Sequence, residues 1–181
     1  MHRRDLLRFI AAATGYAFVG MEAALAAPPR RPPFTARDLV MLDEIAETIL
    51  PRTDTPGAKD AAVGAFIARY SAACYAPAHL NSLKQGIGAL DAAMRARAGA
   101  SFLDASKAQR QALLTAIDQE ARKHAADKAQ AVPHYFTLMK QLTLFGFFTS
   151  EPGSTRVLRY RPVPGKYQGC VRYKKGETSW A

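Results

Sequence analysis

A proline that follows a run of helical spacing fixes the middle of this chain. Leu39, Leu42, Ile45 or Ala46, and Ile49 recur every three to four residues, as one apolar face of a helix should. Pro51 ends that helix, because its ring clashes with the carbonyl four residues back and it has no N–H to donate. Pro56-Gly57 then suits a type II turn, with proline setting φ at the first corner and glycine supplying a positive φ at the second. Thr53, Asp54 and Thr55 lie between the two prolines and can hydrogen-bond the nearby backbone, so an ordered loop is expected. Taken alone, the stretch joins two helices.

The same periodicity continues on both sides. Thr35 suits the N-cap of the first helix, with Asp38 three residues on, near the positive helix end. Asp60 can cap a second helix that carries Val63, Phe66, Ile67 and Tyr70 on one face. Pro77 fits the first turn of a third, in which Leu80, Leu83, Ile87, Leu90 and Met94 share a face. Gly86 and Gly88 each cost about 1 kcal/mol against alanine inside that helix, so close packing is expected there. Gly86-Ile87-Gly88 lacks a third glycine and a preceding strand, and is no dinucleotide fingerprint.

Ser106 and Gln109 form a capping box for a fourth helix. On it Ala108, Leu113 or Leu114, Ile117 and Ala121 are expected inside, and Arg110, Asp118, Glu120 and Lys123 in water. A fifth begins near Pro133 and is apolar nearly all round, which implies burial against something beyond this domain. It ends in Phe145-Gly146-Phe147-Phe148. The fold expected is all-α, a small bundle of about five helices over residues 34–150.

After Glu151-Pro152-Gly153 the character changes, and no helical period survives from Arg156 to Ala181. Tyr160, Tyr167, Tyr173 and Trp180 stand among arginines and lysines, with Pro162, Pro164-Gly165 and Gly169 between them. Such an irregular C-terminal arm, over 151–181, suits a partner's surface, since Tyr, Trp and Arg carry interface energy. It suits an arm folded back on its own helices equally well. Phe147, Phe148, Tyr160, Pro164, Tyr167 and Trp180 are the partner-contact candidates.

The N-terminus reads as an export signal. Arg3-Arg4 precedes an apolar run from Phe9 to Val19 that is too short to span a bilayer, and Ala24-Leu25-Ala26 offers cleavage after Ala26. Twin arginines before a mildly apolar core point to the twin-arginine route, with a Sec signal as the alternative. Residues 27–33 are a Pro-rich linker. The chain carries a formal charge of +10, concentrated in Arg30-Arg31, Arg95–Arg97 and Arg156 to Lys175. For an exported protein this favours headgroups or an acidic partner over nucleic acid. Cys74 and Cys170, as an even pair in an oxidising compartment, read as one disulfide; two buried thiols are the alternative.

Catalytic signatures are missing. The four histidines have no metal-binding spacing, and neither a Cys-x-x-Cys-His, a Gly-x-Ser-x-Gly elbow nor a phosphate loop occurs. Asp43, Glu44 and Glu47 are expected to form a solvated helix flank. No catalytic, cofactor-binding or metal-binding residue is assigned.

Three stretches together resemble one family. They are Leu42-Asp43-Glu44-Ile45-Ala46-Glu47-Thr48-Ile49-Leu50-Pro51-Arg52-Thr53-Asp54-Thr55-Pro56-Gly57-Ala58, Leu144-Phe145-Gly146-Phe147-Phe148-Thr149-Ser150-Glu151-Pro152-Gly153, and Val163-Pro164-Gly165-Lys166-Tyr167-Gln168-Gly169-Cys170. With the twin-arginine leader they look like the gluconate 2-dehydrogenase subunit 3 family, small subunits of sugar and sugar-acid dehydrogenase complexes. The resemblance implies an accessory, non-enzymatic subunit in the periplasm, associated with the inner membrane through its complex. The implied partner is a large flavoprotein of the glucose-methanol-choline class that holds FAD. A multihaem cytochrome c subunit and the twin-arginine translocase are further implied partners. The alternative is a periplasmic membrane-surface protein with no flavoprotein.

Overall fold

Thr35 starts the first helix with both halves of a capping box. Its hydroxyl accepts the Asp38 N–H at 3.2 Å, and the Asp38 carboxylate accepts the Thr35 N–H at 2.8 Å. The computed structural model describes residues 33–127, 131–163, 165–167, 169–172 and 174–180. The chain divides into Met1–Pro32 and Pro33–Ala181, and the described residues belong to the second unit. Arg3, Arg4, Ala26 and Pro164 lie outside them.

Among the described residues the fold is all-α, with helices α1 (Ala36–Ile49), α2 (Val63–Cys74), α3 (Pro77–Ala98), α4 (Lys107–Ala126) and α5 (Tyr135–Phe148). None of these is long and apolar enough to cross a membrane. Helices α1 and α5 each touch the other four. The core follows from their apolar faces: Met41, Leu42, Ile45 and Ala46 from α1 meet Phe136, Leu138, Met139, Leu142 and Phe147 from α5. Val63 and Ile67 of α2, Leu83, Ile87, Leu90 and Met94 of α3, and Leu113, Leu114, Ile117 and Ala121 of α4 close around them.

The helix starts mix legible and hidden devices. Pro77 occupies the first turn of α3 and the Ser106–Gln109 box caps α4, as their residue types require. Asp60 does not cap α2. Its carboxylate accepts the Gly57 N–H at 2.8 Å, while α2 follows Ala62, a left-handed residue at φ 49° with no capping side chain. The free amide at the head of α2 is met from another helix: Asp43 Oδ1 accepts the Gly64 N–H at 3.1 Å. For α5 the cap is His134, whose Nδ1 accepts the Phe136 N–H at 3.2 Å.

The loop after Pro51 is ordered, but its geometry is not a type II turn. Positive φ occurs at Gly99, Gly165 and Gly176, not at Gly57. Glycine at 57 serves a close approach instead, since a Cβ there would lie 2.6 Å from Arg52 N and 2.7 Å from both Glu47 carboxylate oxygens. Glu47 is the pivot. One of its oxygens accepts the Arg52 N–H and the other the Lys59 N–H, each at 2.9 Å. Ala58, fully buried, bonds back to Leu50 O at 3.0 Å.

In α3, Gly86 gives the expected close packing: a Cβ there would lie 2.5 Å from Tyr135 Cγ. Gly88 is exposed and meets nothing. After a break at Thr149 and Ser150 the chain turns helical again at Glu151 and Pro152 and passes into a π-helical turn at Gly153–Val157, and Val157 packs against the core. The irregular arm therefore starts after that turn, some residues later than the expected boundary at 151.

Candidate functional site

The acidic residues of α1 are structural ties rather than a solvated flank. Asp43 caps α2 and Glu47 holds the loop. Glu44 pairs with Lys59 from the loop and with Arg110 from α4. Burial pushes the Glu44 carboxyl up, and the bonds and charges of Lys59 and Arg110 more than offset this, so its pKa lies below the ordinary 4.5. Arg110 faces inward as well: its Nε donates to Ala105 O at 3.0 Å and its guanidinium lies 5.9 Å from the Phe102 ring centroid.

Asp118 likewise ties α4 to α5 through Lys140 at 2.7 Å, with Arg122 at 2.8 Å. Both Arg110 and Asp118 were expected in water, and Ala108, expected inside, is exposed. The reason is reach: a long or charged side chain at the edge of a helix face can cross to the next helix.

Two histidines face each other near the head of α5, His124 and His134, with ring centroids 5.5 Å apart. The bond that His134 Nδ1 accepts requires the neutral ring. Burial first, and the His124 charge second, hold the His134 pKa below 6.5, while Glu120 pulls it the other way. Among the described residues no three His, Cys, Asp or Glu side chains converge as a metal site.

Aromatic side chains gather on the outside of α2 and α5. Phe66, Tyr70 and Phe145 form a triangle with centroid distances of 5.4, 5.5 and 5.6 Å, and Tyr75 extends it beyond Tyr70 at 6.2 Å. Gly146 makes the triangle possible, because a Cβ there would lie 2.5 Å from the Phe66 ring. Leu144, Phe145 and Phe148 remain exposed along this edge. A glycine inside a bulky apolar helix end was the available sequence signal for such close approach; the pairing of Phe66 with Phe145 has no local one.

Of the partner-contact candidates at this helix end, Phe147 is corrected. It is 3% exposed and belongs to the core. Consecutive helical residues point about 100° apart, so Phe148 faces out while Phe147 faces in. Tyr160, Tyr167 and Trp180 are all exposed on the arm, Tyr167 at 91%.

The arm is closed at its base by Arg159. Its N–H donates to Ser179 O at 2.8 Å, its Nε donates to Thr178 Oγ1 at 3.2 Å, and its guanidinium stands 3.5 Å from Glu177 and 5.3 Å from the Trp180 ring centroid. The arm folds on itself at this point. The Cys74–Cys170 disulfide is corrected too: both are free, exposed thiols. Cys74 lies at the last position of α2, three residues past Ser71, its last buried one, so its sulfur falls beyond the packed layer. Cys170 lies in the outward part of the arm.

A model of the gluconate 2-dehydrogenase subunit 3 family matches residues 36–165. The chain belongs to that family. Neither a curated protein nor a solved structure matches it. As a gluconate 2-dehydrogenase subunit 3 protein it is an accessory subunit of a dehydrogenase complex. The family stretch takes in α1 to α5 and the start of the arm, with the aromatic edge of α2 and α5 inside it. Tyr167, Cys170 and Trp180 lie beyond the matched residues.

Proposed function

We propose that this chain is the non-catalytic small subunit of a periplasmic, FAD-dependent dehydrogenase of the glucose-methanol-choline class, acting on a sugar or sugar acid. It binds the flavoprotein before export, aids its maturation and carries it through the twin-arginine route on the signal at Arg3-Arg4. FAD resides in the large subunit, and a third subunit carries haem c. The complex associates with the inner membrane.

The observation that carries this reading is the pairing of family membership with large aromatic side chains left outside the fold, Phe145 and Phe148 on α5 and Tyr160, Tyr167 and Trp180 on the arm. Exposed aromatic anchors of this kind are what an interface buries. The acidic groups of α1, by contrast, are engaged in holding α2, α4 and the loop. A membrane-surface protein acting alone is the alternative that the basic arm supports, and it requires binding to anionic vesicles with no flavoprotein present.

Co-purification tests the reading. A tagged full chain from its native host should bring down a yellow protein of larger mass with dehydrogenase activity, and the isolated chain should show neither flavin absorbance nor turnover. Changing Arg3-Arg4 to Lys-Lys should leave that activity in the cytoplasm. Flavin or turnover in the isolated chain would sink the proposal.

A further inference from the structure

Charge is divided unequally along the chain. Residues 33–158 carry 14 Lys and Arg against 12 Asp and Glu, close to balance. Residues 159–180 carry six, Arg159, Arg161, Lys166, Arg172, Lys174 and Lys175, against Glu177 alone. The arm thus holds +5 of the chain's +10. In the body, carboxylates meet the body's own cations: Asp91 has Arg37 and Arg95, and Asp118 has Arg122 and Lys140. In the arm the one carboxylate is taken by Arg159. Among the described residues the side chains of Arg161, Lys166, Arg172, Lys174 and Lys175 enter no ion pair.

Tyr160, Val163, Tyr167 and Val171 alternate with those cations and are exposed. Among the described residues from 160 to 173, no main-chain group is hydrogen-bonded within the protein. That last fact separates two anionic targets. Open N–H and C=O groups keep the arm out of the hydrocarbon, where nothing satisfies them, so lipid can offer it only headgroup charge. Another protein can supply partners for the backbone, a pocket for each ring and carboxylates for the cations.

We propose that the arm docks on an acidic face of the dehydrogenase subunit, so that assembly of the complex is electrostatically driven and salt-dependent. This rests on the accessory-subunit reading above. Arg159 presents the loop by joining its two ends, and the unpaired cations meet the partner. Steering by such a patch speeds encounter and is screened beyond a Debye length.

The test uses the complex of full-length chain and dehydrogenase subunit, co-expressed and immobilised through the dehydrogenase. Raising NaCl from about 50 mM to about 0.5 M should weaken retention of the small chain at least about 10-fold. The triple variant Arg172→Glu, Lys174→Glu, Lys175→Glu should lose retention already at low salt, with unchanged helicity. Retention that ignores both salt and the triple variant overturns the inference and leaves the accessory reading standing. Absence of any complex at any salt sinks both. Phosphatidylglycerol vesicles that bind the chain through these three residues, while retention by the dehydrogenase ignores them, would assign the arm to lipid and overturn the inference.

Discussion

The Asp43 carboxylate caps a helix it does not belong to, accepting the Gly64 N–H at the head of α2 across 3.1 Å. The contact fixes how closely α1 and α2 approach, because a Cβ at Gly64 would lie 2.7 Å from the Asp43 main-chain nitrogen. Asp43→Ala should cost about 1 kcal/mol, as loss of a helix cap does. Gly64→Ala should cost about 1–3 kcal/mol through overpacking. Combining the two should not restore stability, since the Asp43 backbone still blocks the new methyl. Urea midpoints of the three variants decide this.

Phe147 and Phe148 should separate stability from assembly. Phe147→Ala removes a core ring and should destabilise by about 3–5 kcal/mol. Phe148→Ala should shift the urea midpoint little and reduce recovery of the dehydrogenase partner in co-purification. Equal loss of stability in both variants would contradict the inward and outward assignment.

The chain's one tryptophan reports on the arm. Arg159→Ala removes the guanidinium beside Trp180 and the ties to Glu177 and Thr178. Trp180 emission should shift to the red and iodide quenching should rise. Thermal unfolding of the helices should stay within about 0.5 kcal/mol of the parent, as for an exposed site away from the core.

Three carboxylates should shape acid stability. Asp91 lies below its ordinary 3.8, first through the Phe102 N–H it accepts at 2.8 Å and then through Arg95 and Arg37. Asp118 lies below 3.8 through Lys140 and Arg122, and Glu44 lies below 4.5. For each, the unfolded chain takes up protons first as pH falls. Their stabilisation is therefore whole above the ordinary carboxylate range and is lost as pH falls through it. Asp91→Asn should be less stable at pH 7 and show a shallower acid limb in urea titrations.

His134 acts in a higher window. Its folded pKa is below 6.5, so the unfolded state binds the extra proton and stability falls as pH drops below about 6.5. His134→Asn keeps a capping acceptor without the titration. The variant should lack the decline that the parent shows between about pH 7 and pH 5.

Local rules made much of this legible. The Thr35–Asp38 and Ser106–Gln109 boxes, Pro77 in the first turn of α3, and the faces led by Leu42, Leu83 and Ile117 follow from residues within a turn of each other. Whether the rings of Tyr160, Tyr167 and Trp180 pack back on the helices or face out was left open by their spacing, and the structure leaves them exposed. Failures came where a partner lies far along the chain. Arg110 and Asp118 looked solvated and crossed to α1 and α5; Asp60 is the local exception, its carboxylate turning back three residues to the Gly57 N–H.

Amino-acid order alone, then, determined that this chain makes helices, where most of them start, and that its last residues are basic and aromatic. Those properties depend on backbone sterics and on contacts three or four residues apart. Tertiary structure alone decided that Asp43 serves α2, that Glu47 organises the loop after Pro51, that Phe147 is core while Phe148 is surface, and that Cys74 and Cys170 stay apart. Each depends on the distance between side chains many residues apart, which is set only once α1 and α5 have packed against the remaining helices.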